Sequence, residues 1–160
     1  MTNKQPTLAE VTQSLRSHGY MTGIQRTQAR TDQTEEVFTD WIKARDLIER
    51  MHRHRPELFT DTRRTILDPA VGDGQLLAEC LILRMEQGND FVSSLSTLRG
   101  LDLMQDNVVL CRQRLMCGYE PMRNHLTQYI RQGDCFQDDY LFGEGPAIGH
   151  PDQHGLWEWK

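Results

Sequence analysis

The sequence predicts an α/β fold built on a parallel sheet, and three observations carry that prediction. Short β-branched or apolar stretches alternate with amphipathic ones in the order strand, helix, strand, helix, strand, which favours parallel strands joined by right-handed crossovers. The first strand runs into a Gly72-Asp73-Gly74 turn and then a helix, an arrangement that brings bare backbone and a helix N-terminus against a bound molecule. Each of the three strands ends in an acid: Asp68, Asp102 and Asp134.

The elements follow in chain order. Residues 1–33 are rich in Thr, Gln, Ser and Arg and predict a loosely ordered arm, within which "LAEVTQSLRSHGY" fits one short helix ended at Gly19. "FTDWIKARDLIERM" predicts a helix behind a Thr39/Asp40 cap, with Trp41, Ile42, Leu47, Ile48 and Met51 facing the core. "RRTILDPA" predicts a buried strand stopped by Pro69. "GDGQLLAECLILRM" predicts a helix, "LRGLDL" a second strand, "QDNVVLCRQRLM" a second crossover helix and "QYIRQGD" a third strand. The domain therefore spans 34–140, and 141–160 form a Gly-, Pro- and His-rich loop closing on "GLWEWK".

A chain of 160 residues suits one domain with a real core. Its 38% hydrophobic and 26% charged content, with no apolar run of membrane-spanning length and no signal-like start, predicts a cytoplasmic protein with no membrane partner. Cys80, Cys111, Cys117 and Cys135 lack CxxC spacing and read as reduced thiols, with neither a disulfide nor a metal site expected. His150 and His154 have helical metal spacing, but Pro151 and Gly155 place them in a loop. The charge is uneven: residues 1–64 carry 11 Lys/Arg against 9 Asp/Glu, and residues 65–160 carry 7 against 14. DNA contact, if made, falls to Arg50, Arg53, Arg55, Arg63 and Arg64, although a solvated helix end is the plainer account of that cluster.

The glycine turn narrows the ligand. The dinucleotide fingerprint wants Gly or Ala where Leu77 stands, and no Gly-Lys-Ser/Thr follows, so NAD binding and ATP hydrolysis are both disfavoured. Asp68 beside the loop would repel a pyrophosphate and attract an ammonium or sulfonium. Asp102 stands where α/β nucleotide sites bind the ribose hydroxyls, and Asp134 can accept from an adenine amine. Together these acids fit S-adenosylmethionine, with S-adenosylhomocysteine as its product form.

The same residues resemble the class I, S-adenosylmethionine-dependent DNA adenine methyltransferases of restriction-modification systems and phages. "ILDPAVGDGQLL" resembles their Asp-Pro-Ala-x-Gly-x-Gly motif, which assigns Asp68, Pro69, Ala70, Gly72 and Gly74 to the cofactor. "LRGLDLMQDNV" is similar to their second motif, matching Asp102 to the ribose and Leu103 to the adenine face. "IRQGDCF" resembles the third, with Asp134 at the adenine amine and Cys135 lining the base. "TEEVFTD" resembles an upstream cofactor motif in which Phe38 and Thr39 make contacts, with Glu35 in place of a frequent glycine and Asp40 in place of proline. The resemblance, over about residues 34 to 136, implies a Rossmann-like methyltransferase sheet of parallel strands in the order 3-2-1, truncated after its third strand and flanked by helices.

One motif is missing. The family's Asn/Asp-Pro-Pro-Tyr/Phe, which holds a flipped-out adenine, has no counterpart: Asn3, Asn89, Asn107 and Asn124 all lack a following proline. The catalytic residues are therefore unknown, with Asp138, Asp139, His150 and His154 the unassigned candidates. The expected role is an S-adenosylmethionine-binding part of an assembled DNA adenine methyltransferase, through a second subunit or self-association. The alternatives are a stand-alone enzyme that consumes S-adenosylmethionine and a cofactor-sensing regulator of a host methyltransferase. Without a fourth strand the edge of the first is open; the tail with Trp157 and Trp159 is the first candidate to cover it, and a second copy of the chain or a different subunit are the alternatives.

Overall fold

A computed structural model describes residues 4–17 and 39–137. In it three parallel strands form one open sheet in the order β1-β2-β3, the adjacency expected. β1 (Ile66–Asp68) pairs with β2 (Leu98–Asp102) so that Asp68 lies opposite Gly100; β2 pairs with β3 (Ile130–Gln132) so that Asp102 lies opposite Gln132. β2 is central and buried over Leu98–Leu101, as a strand covered on both faces should be. Gly100 is small for a reason: a Cβ there would come within 2.9 Å of Val71 Cγ2 and 3.2 Å of Ile130 Cδ1. Among the described residues no strand lies outside β1, and the proposed cover, residues 155–160, lies outside them.

Seven α-helices and a 3-10 turn (Glu120–Met122) pack around the sheet among the described residues, the helices being α1 (Leu8–Arg16), α2 (Trp41–His54), α3 (Glu57–Thr60), α4 (Gln75–Glu86), α5 (Phe91–Ser96), α6 (Gln105–Met116) and α7 (Arg123–Tyr129). α4 is the hub. Every residue from Leu77 to Met85 is buried, including Glu79 and Arg84. A helix hidden on all sides must find partners for such charges, and those partners organise the surrounding chain.

Glu79 recruits the N-terminal segment. Arg16 Nε and Nη2 donate to its two carboxylate oxygens at 3.1 and 2.8 Å, and the same guanidinium lies 4.5 Å from the centre of the Trp41 ring. Val11 and Leu15, four residues apart on α1, enter the core beside this pair, and Thr7 with Glu10 forms a capping box. The expected loose arm is thus corrected over Leu8–Arg16, which is a docked helix; residues 18–33 lie outside the described residues.

α2 starts behind Asp40, whose side chain accepts from the Lys43 N–H. Its buried stripe is Ala44 and Ile48, with Met51 partly buried. The expected five-residue face is corrected: Trp41, Ile42 and Leu47 are 38%, 63% and 45% exposed. Ile42 falls about 160° around the helix from Ala44 at about 100° per residue, and the flanks of the stripe go to the Arg16 and Arg45 ion pairs. Arg45 binds Glu49 at 2.7 Å and Glu86 at 2.6 Å.

Arg84 is fully buried and donates to Leu58 O, Ser94 O, Thr97 Oγ1 and Arg64 O at 2.6 to 3.0 Å. Burial pulls its pKa down from the ordinary guanidinium value, and no carboxylate compensates through a direct bond. It joins α3, the approach to β1, α5 and the start of β2. Cys80 and Cys111 are buried free thiols, as expected, with Cys80 pushed up to about 12 by desolvation and Cys111 raised by the same cause.

Arg84→Met should therefore strand four acceptors, one buried and three partly buried, and lower stability by about 3 kcal/mol or more, whereas Arg123→Met at an exposed pair should cost under about 1 kcal/mol. Denaturant melts of both variants test this. Equal midpoints for Arg84→Met and the wild type would show that the guanidinium contributes nothing net.

Candidate functional site

The carboxyl ends of the three strands and the turn after β1 form one rim. Four backbone N–H groups of that turn have assigned partners. Ala70 N–H donates to the Asp68 side chain at 3.1 Å, Val71 N–H to Leu101 O at 2.7 Å, Gly72 N–H to Asp102 Oδ2 at 2.9 Å, and Gly74 N–H to Val71 O at 2.8 Å. The turn therefore extends the β1–β2 pairing beyond the strands before releasing α4. Gly74 caps α4 at φ 87°, and a Cβ there would come within 2.7 Å of Cys111 Sγ. Only glycine satisfies both the left-handed backbone and the contact with α6.

Asp102 is the centre of the rim. Its Oδ2 accepts the Gly72 N–H, while Oδ1 accepts the Met104 N–H at 2.8 Å and Asn107 Nδ2 at 2.9 Å. One carboxylate thus ties the glycine turn to β2 and to the first turn of α6. Asp73, the middle residue of the turn, is buried and faces Arg114 of α6 at 2.8 Å. Arg114 also donates to Asp73 O and Gln75 Oε1, and at 3.3 Å to Leu15 O of α1.

Asp68 differs from its neighbours. Among the described residues it accepts one hydrogen bond, from Ala70 N–H. Desolvation raises its pKa above the ordinary 3.8, and the nearby charge of Asp102 adds to the shift. This is an anionic group short of partners, set beside a glycine turn.

The three acids are brought to one rim but not to one level. Asp68 is opposite Gly100, two residues before Asp102, and Asp102 is opposite Gln132, two residues before Asp134. Gly133 N–H donates to Asp102 O, and Gln132 Nε2 donates to Leu103 O, which joins the segments after β2 and β3. Leu103 is 58% exposed, Cys135 is half-buried, and Asp134 Oδ1 accepts from the Phe136 N–H. Pro69 and Ala70 are exposed at the rim. Thr39 precedes α2 and makes no hydrogen bond to the rim among the described residues, and Phe38 lies outside them.

Sequence reasoning missed Asn107 and Arg114, both buried on the inner face of α6 with Val108, Cys111 and Leu115. Their signal was present: two polar residues seven apart within an apolar stripe have to meet polar partners. It also missed Phe136, which is 91% exposed beside Cys135.

The basic cluster is largely neutralised in place. Arg50 pairs with Asp46 at 2.7 Å, Arg55 with Glu57 at 2.5 Å, and Arg63 with Asp61 at 2.8 Å, with Arg64 also 3.8 Å from Asp61. Asp61 is held down to about 2 by Arg63. Arg53 makes no ion pair with a described residue. Among the described residues no His, Cys, Asp and Glu group could hold a metal ion, and no helix is long and apolar enough to cross a membrane. The His150/His154 pair and the acids Asp138 and Asp139 lie outside the described residues.

Comparison with protein-family models, with curated proteins and with solved structures finds no match. The class defined by the chain itself is an α/β protein with a small open parallel sheet.

The raised Asp68 pKa has a sign that can be checked. The folded protein holds the Asp68 proton more tightly than the unfolded chain, so stability from this group is present below the ordinary 3.8 and lost as pH rises through the folded value. Ionised Asp68 thus costs stability at neutral pH, and Asp68→Asn, which keeps an acceptor for Ala70, should raise the Tm at pH 7. That gap should shrink as pH falls toward 4. Scanning calorimetry across this range checks it, and a variant less stable than the wild type at pH 7 contradicts the assignment.

Proposed function

We propose that the rim binds S-adenosylmethionine and that the chain is the cofactor-holding part of an assembled DNA adenine methyltransferase. The observation that carries this reading is the state of Asp68: a desolvated carboxylate with one hydrogen bond, beside a glycine turn at the end of a parallel strand. Such a group favours a cation, and a sulfonium or ammonium placed there would relieve the same desolvation that raises its pKa. An anionic pyrophosphate would meet repulsion instead.

The remaining roles follow the rim outward. Asp102 retains acceptor capacity on Oδ2 toward the ribose. Leu103 offers an exposed apolar face to the adenine, and Asp134 with Cys135 stands at its far edge. Pro69, Ala70, Gly72 and Gly74 shape the turn, and Phe38 and Thr39 are carried from the resemblance. The bound cofactor supplies an electrophilic methyl group. The chain's own residues bind and orient it, and the acceptor pocket comes from a second subunit or a second copy. The paired arginines, Arg50, Arg55, Arg63 and Arg64, would have to exchange their carboxylates for phosphates to meet DNA, so a partner supplies most of the DNA contact in this reading.

Calorimetric titration of the wild type with S-adenosylmethionine should show one site. Asp68→Asn should weaken it about tenfold or more, as expected for loss of a charge-assisted contact, while adenosine affinity changes little. Absence of binding at millimolar S-adenosylmethionine would sink the proposal. Mass spectrometry of the incubated cofactor adds the outcome: intact S-adenosylmethionine fits a holding role, whereas methylthioadenosine would mean the chain destroys it.

A further inference from the structure

We infer that Asp102 accepts a single hydroxyl of its ligand, and that Asn107 is the positioning residue that imposes this limit. The inference rests on the proposed nucleoside-bearing ligand. A carboxylate offers about four acceptor positions, two on each oxygen. On Asp102, both positions of Oδ1 are taken, by Met104 N–H and Asn107 Nδ2, and one position of Oδ2 is taken by Gly72 N–H. Among the described residues' hydrogen bonds, one position remains. A ribose offers two adjacent hydroxyls, and accepting both would displace one of the three donors.

None of the three yields easily. The Gly72 N–H belongs to the turn that Asp73 and Arg114 hold from the other side. The Met104 N–H sits at the N-cap of α6 and has no side-chain substitute there. Asn107 is fully buried on α6, so its amide cannot turn to water, and a buried donor pulled off its carboxylate loses a charge-assisted bond. Asn107 also fixes the rotation of the Asp102 carboxyl group, so the open position on Oδ2 points in one direction.

The test uses S-adenosylhomocysteine with its 2′-deoxy and 3′-deoxy forms, titrated into the full chain. The expected result is that the parent and one deoxy form bind within about threefold of each other, while the other deoxy form weakens about tenfold or more. If both deoxy forms weaken, Asp102 grips two hydroxyls and the inference is overturned, with the proposed function intact. If neither weakens, Asp102 does not touch the ribose and the inference is overturned. If the parent itself fails to bind, the proposed function falls and this inference with it.

Asn107→Ala supplies the second measurement. Removing Nδ2 opens a position on Oδ1, so the deoxy form tolerated by the wild type should now bind several-fold worse than the parent. A purely structural role would instead weaken all three ligands by one common factor. The wild-type comparison stands by itself should the variant fail to fold.

Discussion

The glycine turn after β1 is held between two opposite charges, and the geometry of the rim depends on that grip. Asp102 takes the Gly72 N–H from the sheet side, and Arg114 takes the Asp73 carboxylate and carbonyl from the helix side. Both groups are also anchored elsewhere, Asp102 to the start of α6 and Arg114 to Gln75 and α1. Removing one partner of such a buried pair costs more than the pair contributes, because the survivor is left charged and dry. The turn is therefore set by its surroundings more than by its own sequence.

The same logic explains how a polar chain, with 26% charged residues, closes a core. Arg84 serves as a backbone clasp, and Arg112 does the same at smaller scale by donating to Thr127 O and Ile130 O. Carbonyls at the ends of short helices have no intrahelical partner, and this protein satisfies several of them with guanidinium groups. Planar multi-donor side chains suit that task better than lysine would. In the described residues the apolar cluster is continuous, and the arginines close its perimeter.

Much of this was legible locally. The bounds of α6 coincide with the periodic segment "QDNVVLCRQRLM", and the three parallel strands fall within the segments expected. Local pattern and local propensity agree there, so tertiary contacts had nothing to override. The docking of α1 was not legible, because it depends on Arg16 meeting Glu79 across 63 residues, and on the stripe of Val11 and Leu15 finding a surface. The exposed Ile42 and Leu47 mark the opposite failure, where apolar residues were assigned inward by type and helical phase placed them outward. For the site, Asp68 and Asp102 were visible as strand ends, whereas the expected strand end at Asp134 is corrected, because β3 stops at Gln132 two residues earlier. What occupies the oxygens of these acids was not visible, since it depends on pairings such as Gly72 with Asp102 that only the fold creates.

The staggered register of the sheet sets a ruler at the rim. Each neighbouring strand adds about 4.8 Å sideways and, through the two-residue offset, about 6.6 Å forward. The line from Asp68 through Asp102, carried past the end of β3 to Asp134 at the same rise, is then about 16 Å long and lies roughly 35° from the strand direction. A molecule the size of a phosphate, a free base or an amino acid occupies one station on that line. Only an elongated molecule laid obliquely would reach both ends, so in the proposed reading length is a constraint that acts before the chemistry of any single side chain.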